Sequence, residues 1–231
     1  MVFIASSSLA HAGAPAKFYV PGMQYDNPIR GRLNAWFFRL LDGYIDGLLG
    51  DRKRSLFAGH PDEIVEIGPG VGANFRYLAP GTRVIALEPN PQMHGALRAT
   101  AARHGLSVDL VERSADATGL PDNCVDWVVS TLVLCTVTDP AATLSEIRRI
   151  LRPGGRFVFV EHVAASPGSW LRRIQELVRR PWQWFFEGCH THRDTLFEIR
   201  RAGFSNVRVE HKTLMSPFVP VNSQISGVAV A

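Results

Sequence analysis

This sequence lacks the features that mark several common classes of protein. It has only three cysteines, Cys124, Cys135 and Cys189, an odd number whose irregular spacing favours neither a disulfide framework nor a zinc site. No run approaches the roughly 20 apolar residues that a membrane-spanning helix needs. Charges nearly balance, with 25 Lys and Arg against 21 Asp and Glu, and the arginines are scattered. We therefore expect no metal, no stable membrane insertion, no nucleic-acid partner and a reducing, cytoplasmic location.

The order of predicted elements indicates an α/β fold. With 231 residues and 46% hydrophobic content, the chain can bury a sizeable core without disulfides. Apolar runs alternate with helical patterns, which is typical of a doubly wound, mostly parallel sheet. The seven predicted strands lie near residues 63–67, 82–87, 107–112, 125–130, 155–161, 206–211 and 225–230. The predicted helices between them lie near residues 72–78, 90–104, 140–151 and 191–202.

The run VEIGPGVGANF, residues 65–75, places a short strand directly before a glycine-rich turn. Gly68, Gly70 and Gly72 let backbone N–H groups approach a ligand closely, and the residues after them are expected to open a helix with an electropositive N-terminus. This pattern favours a nucleotide-type cofactor site. A turn that only packs a helix against the sheet is the alternative.

The next strand ends at Glu88, some 20 residues beyond the glycine turn, where an acidic side chain can bind both hydroxyls of a ribose. Pro69 interrupts the usual dinucleotide fingerprint. A methionine-derived cofactor has no pyrophosphate but carries an amino group, which Glu66 could hold. Because ligands of such sheets bind at the carboxyl ends of the strands, we expect Thr131 and Glu161 at the same edge.

Four motifs in this order, VEIGPGVGANF, ALEPNP, SADATGLP and LRPGGRFVFVEH, resemble those of class I S-adenosylmethionine-dependent methyltransferases. The resemblance implies a Rossmann-like fold, S-adenosylmethionine as cofactor and S-adenosylhomocysteine as product. It also implies that Asp116 accepts from the adenine amino group and that the backbone N–H of Ala117 faces the ring. The implied cofactor site consists of Glu66, Gly68, Pro69, Gly70, Gly72, Asn74, Glu88, Pro89, Met93, Asp116, Ala117 and Thr131.

Three further strings, STLVLCTVTDP, LRPGGRFVFVEHVA and EGCHTHRDT, resemble the thiol S-methyltransferase group called methyltransferase-like protein 7 and its bacterial relatives. That resemblance implies a small-molecule thiol as the methyl acceptor. A phenol, a quinone precursor or a phospholipid amine is the alternative acceptor, and a cofactor-binding protein without catalysis is a third hypothesis. The oligomeric state stays open.

The region before the first strand is predicted to divide into a flexible tail, residues 1–17, and a helical segment, residues 18–60. The tail consists of small, nearly uncharged residues, and its short apolar run does not favour a signal peptide. Asn27 can cap a helix that Pro28 begins. Its apolar positions are expected to share one face: Ile29, Leu33, Trp36, Phe37, Leu40, Leu41, Tyr44, Ile45 and Leu48. By resemblance this segment is a lid, and a helix that merely covers a sheet edge is the alternative.

The catalytic domain is predicted to span residues 61–231, with a helical, aromatic cap insertion at residues 165–192. Aromatic residues at this density could wall a pocket, form the core of the cap or touch a membrane. The predicted contacts to the acceptor are Tyr25, Trp36, Trp170, Trp184 and Cys189.

Two histidines are the predicted bases for deprotonating a thiol, because imidazole accepts a proton near pH 7. They are His162, after the fifth predicted strand, and His192, at the end of the cap. A purely structural hydrogen bond to the backbone is the alternative for His162. Cys135 lies in an apolar run and is expected to be a packing residue.

Overall fold

A seven-stranded sheet organises this computed structural model, which describes residues 27–231. The strands are β1 (Glu63–Ile67), β2 (Arg83–Leu87), β3 (Ser107–Val111), β4 (Val125–Thr131), β5 (Leu151–His162), β6 (Asn206–Thr213) and β7 (Ser223–Val230). Their order in the sheet is β3-β2-β1-β4-β5-β7-β6. Strands β1 to β5 pair in parallel, and β7 is antiparallel to both β5 and β6. The predicted fold class is confirmed.

Five helices accompany these strands in the described part of the chain: α1 (Pro28–Phe57), α2 (Pro91–Arg103), α3 (Pro140–Ile150), α4 (Trp170–Phe185) and α5 (Thr195–Arg201). The side chain of Asn27 accepts hydrogen bonds from the backbone N–H groups of Ile29 and Arg30, so α1 begins where the sequence predicts. The same combination of a polar cap and a following proline begins α2 and α3. Helix α4 lies inside the predicted cap insertion.

The helix predicted at residues 72–78 is absent, and this prediction was wrong. Only one turn of 3-10 helix forms there, at Phe75–Tyr77. Gly70 and Gly72 adopt left-handed φ angles of 58° and 83°, and Gly72 closes a tight turn by donating to the carbonyl of Pro69. Successive tight turns replace the i→i−4 ladder that an α-helix requires. The glycine turn is therefore not followed directly by an α-helix.

The central strands of the sheet are buried on both faces. Phe157 and Phe159 of β5 pack into one apolar cluster with helix α3, whereas Val158 between them packs into the other cluster with Phe57 of α1. All three β5 residues are fully buried. Such a continuous apolar strand is typical of a parallel sheet covered on both sides. The polar groups of the site are thereby confined to the edge where the parallel strands end.

Helix α1 does not present one uniform apolar face. Ile29, Leu33, Trp36 and Leu40 are largely exposed, whereas Leu49 is buried in the core. The prediction of a single packing face was wrong because the apolar positions cover an arc wider than one contact surface.

Among residues 27–231, no helix has both the length and the apolar character needed to cross a bilayer. Tyr25 and the predicted tail lie outside the described residues.

Candidate functional site

One cavity of about 270 Å³ lies at the carboxyl ends of β1, β2, β4 and β5, beneath helix α1 and the cap. Gly68 and Glu88 line one end, which we call the cofactor end. His162 and Cys189 line the other, which we call the acceptor end. The cavity joins the two ends without interruption, so a molecule at one end can touch a molecule at the other.

The glycine turn at the cofactor end has the conformation that glycine alone adopts freely. Gly68 and Gly70 both have a φ of 58°. A Cβ atom added to Gly68 would lie 2.7 Å from Cγ2 of Val133, whereas one added to Gly70 would have nothing within 4 Å. The space around Gly70 is therefore open, although Gly68 rather than Gly70 lines the cavity.

Glu66, Asn74 and Thr131 form a buried polar group behind the glycine turn. The Asn74 amide donates to Oε1 of Glu66 at 2.7 Å and to Oγ1 of Thr131 at 3.0 Å. Within the described chain, Oε2 of Glu66 and Oδ1 of Asn74 are buried without a partner. Two orphaned acceptors beside an open turn suit a cationic donor such as the amino group of S-adenosylmethionine. The predicted residues fit that cofactor.

Lys53 of α1 lies near this buried group and was missed by the sequence analysis. Its side chain is almost fully buried, and burial lowers the pKa of its ammonium to about 8, although the charge of Glu66 opposes that shift. Burial likewise raises the pKa of Glu66 to about 7, against its hydrogen bond from Asn74 and the charge of Lys53. A lysine between Arg52 and Arg54 gives no sequence signal that distinguishes it from a solvated one.

Glu88, the predicted ribose acid, is held by two backbone amides. Gly70 donates to Oε2 and Asn90 donates to Oε1, both at 2.9 Å. The carboxyl group is buried at the cavity wall, and burial raises its pKa to about 7. Each oxygen keeps a second lone pair for a ligand hydroxyl. Two further predicted residues, Pro89 and Met93, also line the cavity.

The predicted adenine contacts are displaced from the cavity wall. Ser114 and Ala115 line the cavity, whereas Asp116 and Ala117 are exposed and do not. The N–H of Ala117 donates to the carbonyl of Ser114 in a turn, so it does not offer a free donor as predicted. Tight turns after β3 place the first two residues of the SADATGLP motif, rather than its centre, at the cofactor end.

Aromatic side chains from three segments enclose the acceptor end. Phe37 of α1 lies 5.7 Å from Phe186 and 5.8 Å from Phe218, measured between ring centroids, and Trp182 lies 4.5 Å from Phe186. All four residues line the cavity. The acceptor end is thus an apolar chamber of a kind that binds small organic molecules.

Three of the predicted acceptor contacts lie outside this chamber. Trp36, Trp170 and Trp184 are 63%, 66% and 68% exposed, and none lines the cavity. Trp170 and Trp184 are 14 residues apart on α4, nearly four full helical turns, so they share the outer face of that helix. Trp182, two residues from Trp184, points inward instead.

Cys189 lies at the centre of a buried group at the acceptor end. Its Sγ is 3.1 Å from Nε2 of His162 and 3.6 Å from Sγ of Cys135, and the indole N–H of Trp182 donates to it at 3.3 Å. The contacts with Cys135, His162 and Trp182 lower the pKa of Cys189 despite its burial. The same contact with Cys189 raises the pKa of Cys135. Burial opposes an imidazolium at His162, but the nearby sulfur of Cys189 outweighs it and raises the pKa of that histidine.

The two predicted bases occupy different environments. His162 ends β5 and lines the cavity. His192 does not line it, and burial together with Arg172 and Arg179 lowers its pKa. The expectation that both histidines meet the acceptor is therefore corrected, because the chain leaves the cavity wall after Cys189.

The turn after β4 carries backbone strain at the cavity. Leu132 has a φ of 58°, which is uncommon for a residue with a side chain. Glu161 stabilises this turn by accepting hydrogen bonds from the hydroxyl of Ser130 at 2.7 Å and the N–H of Val133 at 3.2 Å. Burial raises the pKa of Glu161 to about 7. The turn places Cys135 at the wall.

Comparison with known proteins identifies the family. A model of the methyltransferase domain matches residues 65–159. Human thiol S-methyltransferase TMT1B is 38% identical over 190 residues, which cover 78% of this chain and 78% of that protein. Human thiol S-methyltransferase TMT1A is 34% identical over 193 residues, 79% of each chain. This chain belongs to the thiol S-methyltransferase family of TMT1A and TMT1B.

The same membership confirms the predicted enzyme class, a class I methyltransferase that uses S-adenosylmethionine. A solved methyltransferase from Thermotoga maritima, described as a possible histamine N-methyltransferase, shares the fold with a TM-score of 0.63. That likeness covers 90% of this chain and 99% of the other at 19% identity. The fold shared with that methyltransferase therefore covers nearly the whole described chain.

The position of Cys135 at the cavity wall was not predicted from the sequence. The sequence analysis interpreted the cysteine as a packing residue, and the side chain is indeed buried, but it also lines the cavity. The available signal was position: Cys135 follows the end of β4 closely, at the edge where α/β sheets bind their ligands.

Proposed function

We propose that this methyltransferase transfers a methyl group to the sulfur of a small-molecule thiol by direct in-line displacement. The observation that carries the proposal is the 38% identity to human thiol S-methyltransferase TMT1B over 78% of both chains. The continuous cavity from the glycine turn to the aromatic chamber supports it, because donor and acceptor must meet directly.

The cofactor end would hold S-adenosylmethionine through three groups of residues. Glu66 and Asn74 offer buried acceptors to its amino group, and Glu88 offers its carboxyl oxygens to the ribose. The open turn at Gly70 lets the protein backbone come close to the cofactor. When bound, the cofactor supplies an electrophilic methyl group on a sulfonium sulfur. The protein's task is to place an acceptor sulfur in line with that carbon.

Positioning in a dry chamber is the main contribution we assign to the protein. Well-oriented reactants can lower a barrier by about 7 to 11 kcal/mol through proximity. Phe37, Trp182, Phe186 and Phe218 exclude water from the acceptor end and hold an apolar acceptor. A chamber with this lining favours a small organic thiol over a charged or macromolecular acceptor.

The acceptor must also reach its thiolate form, because the thiolate is the nucleophile and a free thiol with a pKa of about 8.5 is only a few per cent ionised at pH 7. Cys135, His162 and Cys189 are among the polar residues that line the acceptor end. His162 stays the predicted base among the two histidines, since His192 lies away from the cavity.

The test is methyl transfer to matched acceptors. Thiophenol, phenol and aniline share one ring and differ only in the accepting atom, so each is incubated with purified protein and S-adenosylmethionine whose methyl group is deuterated. We expect labelled methyl phenyl sulfide and no labelled anisole or N-methylaniline by mass spectrometry. A labelled ether or amine as the main product would refute the sulfur proposal and favour an O- or N-methyltransferase. Glu88→Ala, which removes a cofactor contact, is the matched inactive control.

A further inference from the structure

Cys135, His162 and Cys189 form a cluster, which we call the Cys–His cluster, that the methyl-transfer chemistry does not by itself require. Their ligand atoms, the two Sγ atoms and Nε2, all lie within 4.8 Å of one another. All three residues are buried, and all three line the cavity. Among residues 27–231, no other group of three such side chains is placed to share one ion.

Two of the three distances within the cluster are close to the edges of a metal tetrahedron. Zinc binds thiolate sulfur at about 2.3 Å and imidazole nitrogen at about 2.0 Å, so two ligand sulfurs lie about 3.8 Å apart and a sulfur and a nitrogen about 3.5 Å apart. The two sulfurs of the cluster are 3.6 Å apart, and Nε2 of His162 is 3.1 Å from Sγ of Cys189. The third distance, from Sγ of Cys135 to the ring nitrogen of His162, is within 4.8 Å, and rotation of the side chains would bring it to the tetrahedral edge of about 3.5 Å.

We propose that the Cys–His cluster binds one Zn²⁺ ion and leaves the fourth position open toward the cavity, where the acceptor sulfur binds. Catalytic zinc sites keep three protein ligands and one open position, and thiolate and imidazole ligands select zinc over Mg²⁺ or Ca²⁺. Two thiolates also neutralise the ion, which makes its burial in an apolar chamber possible. This inference rests on the proposed function for the identity of the fourth ligand.

The surroundings of the cluster hold its ligands in place. His162 ends β5, and Cys135 lies in the turn after the neighbouring strand β4. Cys189 is fixed by its own N–H, which donates to the carbonyl of Phe186, and by the indole N–H of Trp182, which donates to its sulfur. A hydrogen bond to a ligand sulfur is the kind of outer contact that orients metal ligands.

The ion would ionise the acceptor in place of His162, because an imidazole that binds the metal through Nε2 has no free lone pair to accept a proton. When the acceptor sulfur binds the metal, its proton leaves to solvent and the sulfur stays as a thiolate at neutral pH. An electron pair of that sulfur forms the new bond to the methyl carbon while the carbon–sulfonium bond breaks. The products are a neutral thioether, which binds zinc weakly and leaves, and S-adenosylhomocysteine.

The first experiment measures metal content without any reaction. Reduced, chelator-stripped full-length protein is reloaded with Zn²⁺, desalted and analysed by mass spectrometry of elements, together with Cys135→Ser, Cys189→Ser and the matched control Cys124→Ser, whose thiol lies outside the cluster. We expect one zinc per chain in the wild type and in Cys124→Ser. Cys135→Ser and Cys189→Ser should retain little zinc after desalting, because loss of a ligand weakens binding about tenfold or more. Equal zinc in all four proteins, or no zinc in the wild type, would overturn the proposal.

Cobalt provides a second readout that does not depend on the folding of variants. Co²⁺ in place of zinc gives thiolate charge-transfer absorption and the visible bands of a tetrahedral site. We expect thiophenol to change these bands in the absence of S-adenosylmethionine, and no change would overturn the open position. Cobalt bands without methylation of any thiol would refute only the proposed function. Full thioether production by metal-free protein would refute only the role of the metal.

Discussion

Alanine substitutions at individual glycines test which of them contribute to stability and which to cofactor binding. Gly59, Gly68 and Gly70 all have left-handed φ angles, of 74°, 58° and 58°, so alanine is strained at each of them. Their surroundings differ. An added Cβ meets Val133 at 2.7 Å at Gly68, but meets nothing within 4 Å at Gly59 or Gly70. Gly59 lies in the turn after α1 and serves as the reference.

The expected magnitudes follow from these environments. Gly59→Ala should lower the free energy of unfolding by about 1 to 2 kcal/mol, the cost of a left-handed residue with a side chain. Gly68→Ala adds overpacking against the partly buried Val133, about 1 to 3 kcal/mol, for a total of about 2 to 5 kcal/mol. Gly70→Ala should cost no more stability than Gly59→Ala. Its methyl group instead occupies the space that we assign to the cofactor, and a loss of about 1.4 kcal/mol there is tenfold in affinity.

Urea unfolding measures the free energy of unfolding of each variant, and calorimetric titration with S-adenosylhomocysteine measures its affinity for the cofactor product. The expected pattern is a large loss of stability at Gly68, a loss of affinity of about tenfold or more at Gly70 and only a small loss of stability at Gly59. If Gly70→Ala bound the ligand as tightly as Gly59→Ala does, the assignment of the turn to the cofactor would be wrong. If Gly68→Ala were no less stable than Gly59→Ala, the contact with Val133 would have no energetic weight.

Three further predictions concern other parts of the site. The pKa of Glu66 is raised to about 7, so its burial favours the protonated form, and the stability present below pH 4.5 is lost as the pH rises toward 7. Glu66→Gln should therefore reduce the loss of stability between pH 5 and pH 8 by up to about 3 kcal/mol, measured by urea unfolding at each pH. Trp182→Leu should raise the KM for thiophenol about tenfold, whereas the exposed Trp184→Leu changes it less than about twofold in the same assay. Arg149 lowers the pKa of Glu146 to about 2, and Arg149→Gln should therefore move the acid-unfolding midpoint, followed by circular dichroism, to higher pH.

The strands were predictable because burial on both faces leaves a simple pattern. Residues 63–67 and residues 83–87 are short apolar runs bounded by turns, and the structure makes both of them strands. The acidic and glycine residues at the ends of these runs were interpretable for the same reason, since a parallel sheet gathers the ends of its strands at one edge. Glu88 and Gly68 accordingly line one cavity.

The inward face of α4 was not predictable from its apolar residues. Trp170, Leu177 and Trp184 recur every seven residues and share a face, but that face is exposed. The buried face instead contains Gln175, whose amide donates to the carbonyls of Val163 and Pro220, both at 3.0 Å. Hydrogen bonds to backbone groups outweigh hydrophobicity at that position, so the sequence pattern favoured the wrong side of the helix.

The acceptor end depends on contacts between segments that are far apart in the chain. Cys135 and His162 come together because β4 and β5 are parallel neighbours whose carboxyl ends meet at one edge. Cys189 arrives from the cap, which is tied to the same turn by the hydrogen bond from the His190 N–H to the Cys135 carbonyl at 2.9 Å. Spacing along the chain does not reveal such a cluster, because each residue comes from a different element. Since the third member is present only when the cap is packed, we expect that a change which loosens the cap removes the acceptor site while the cofactor end keeps its structure.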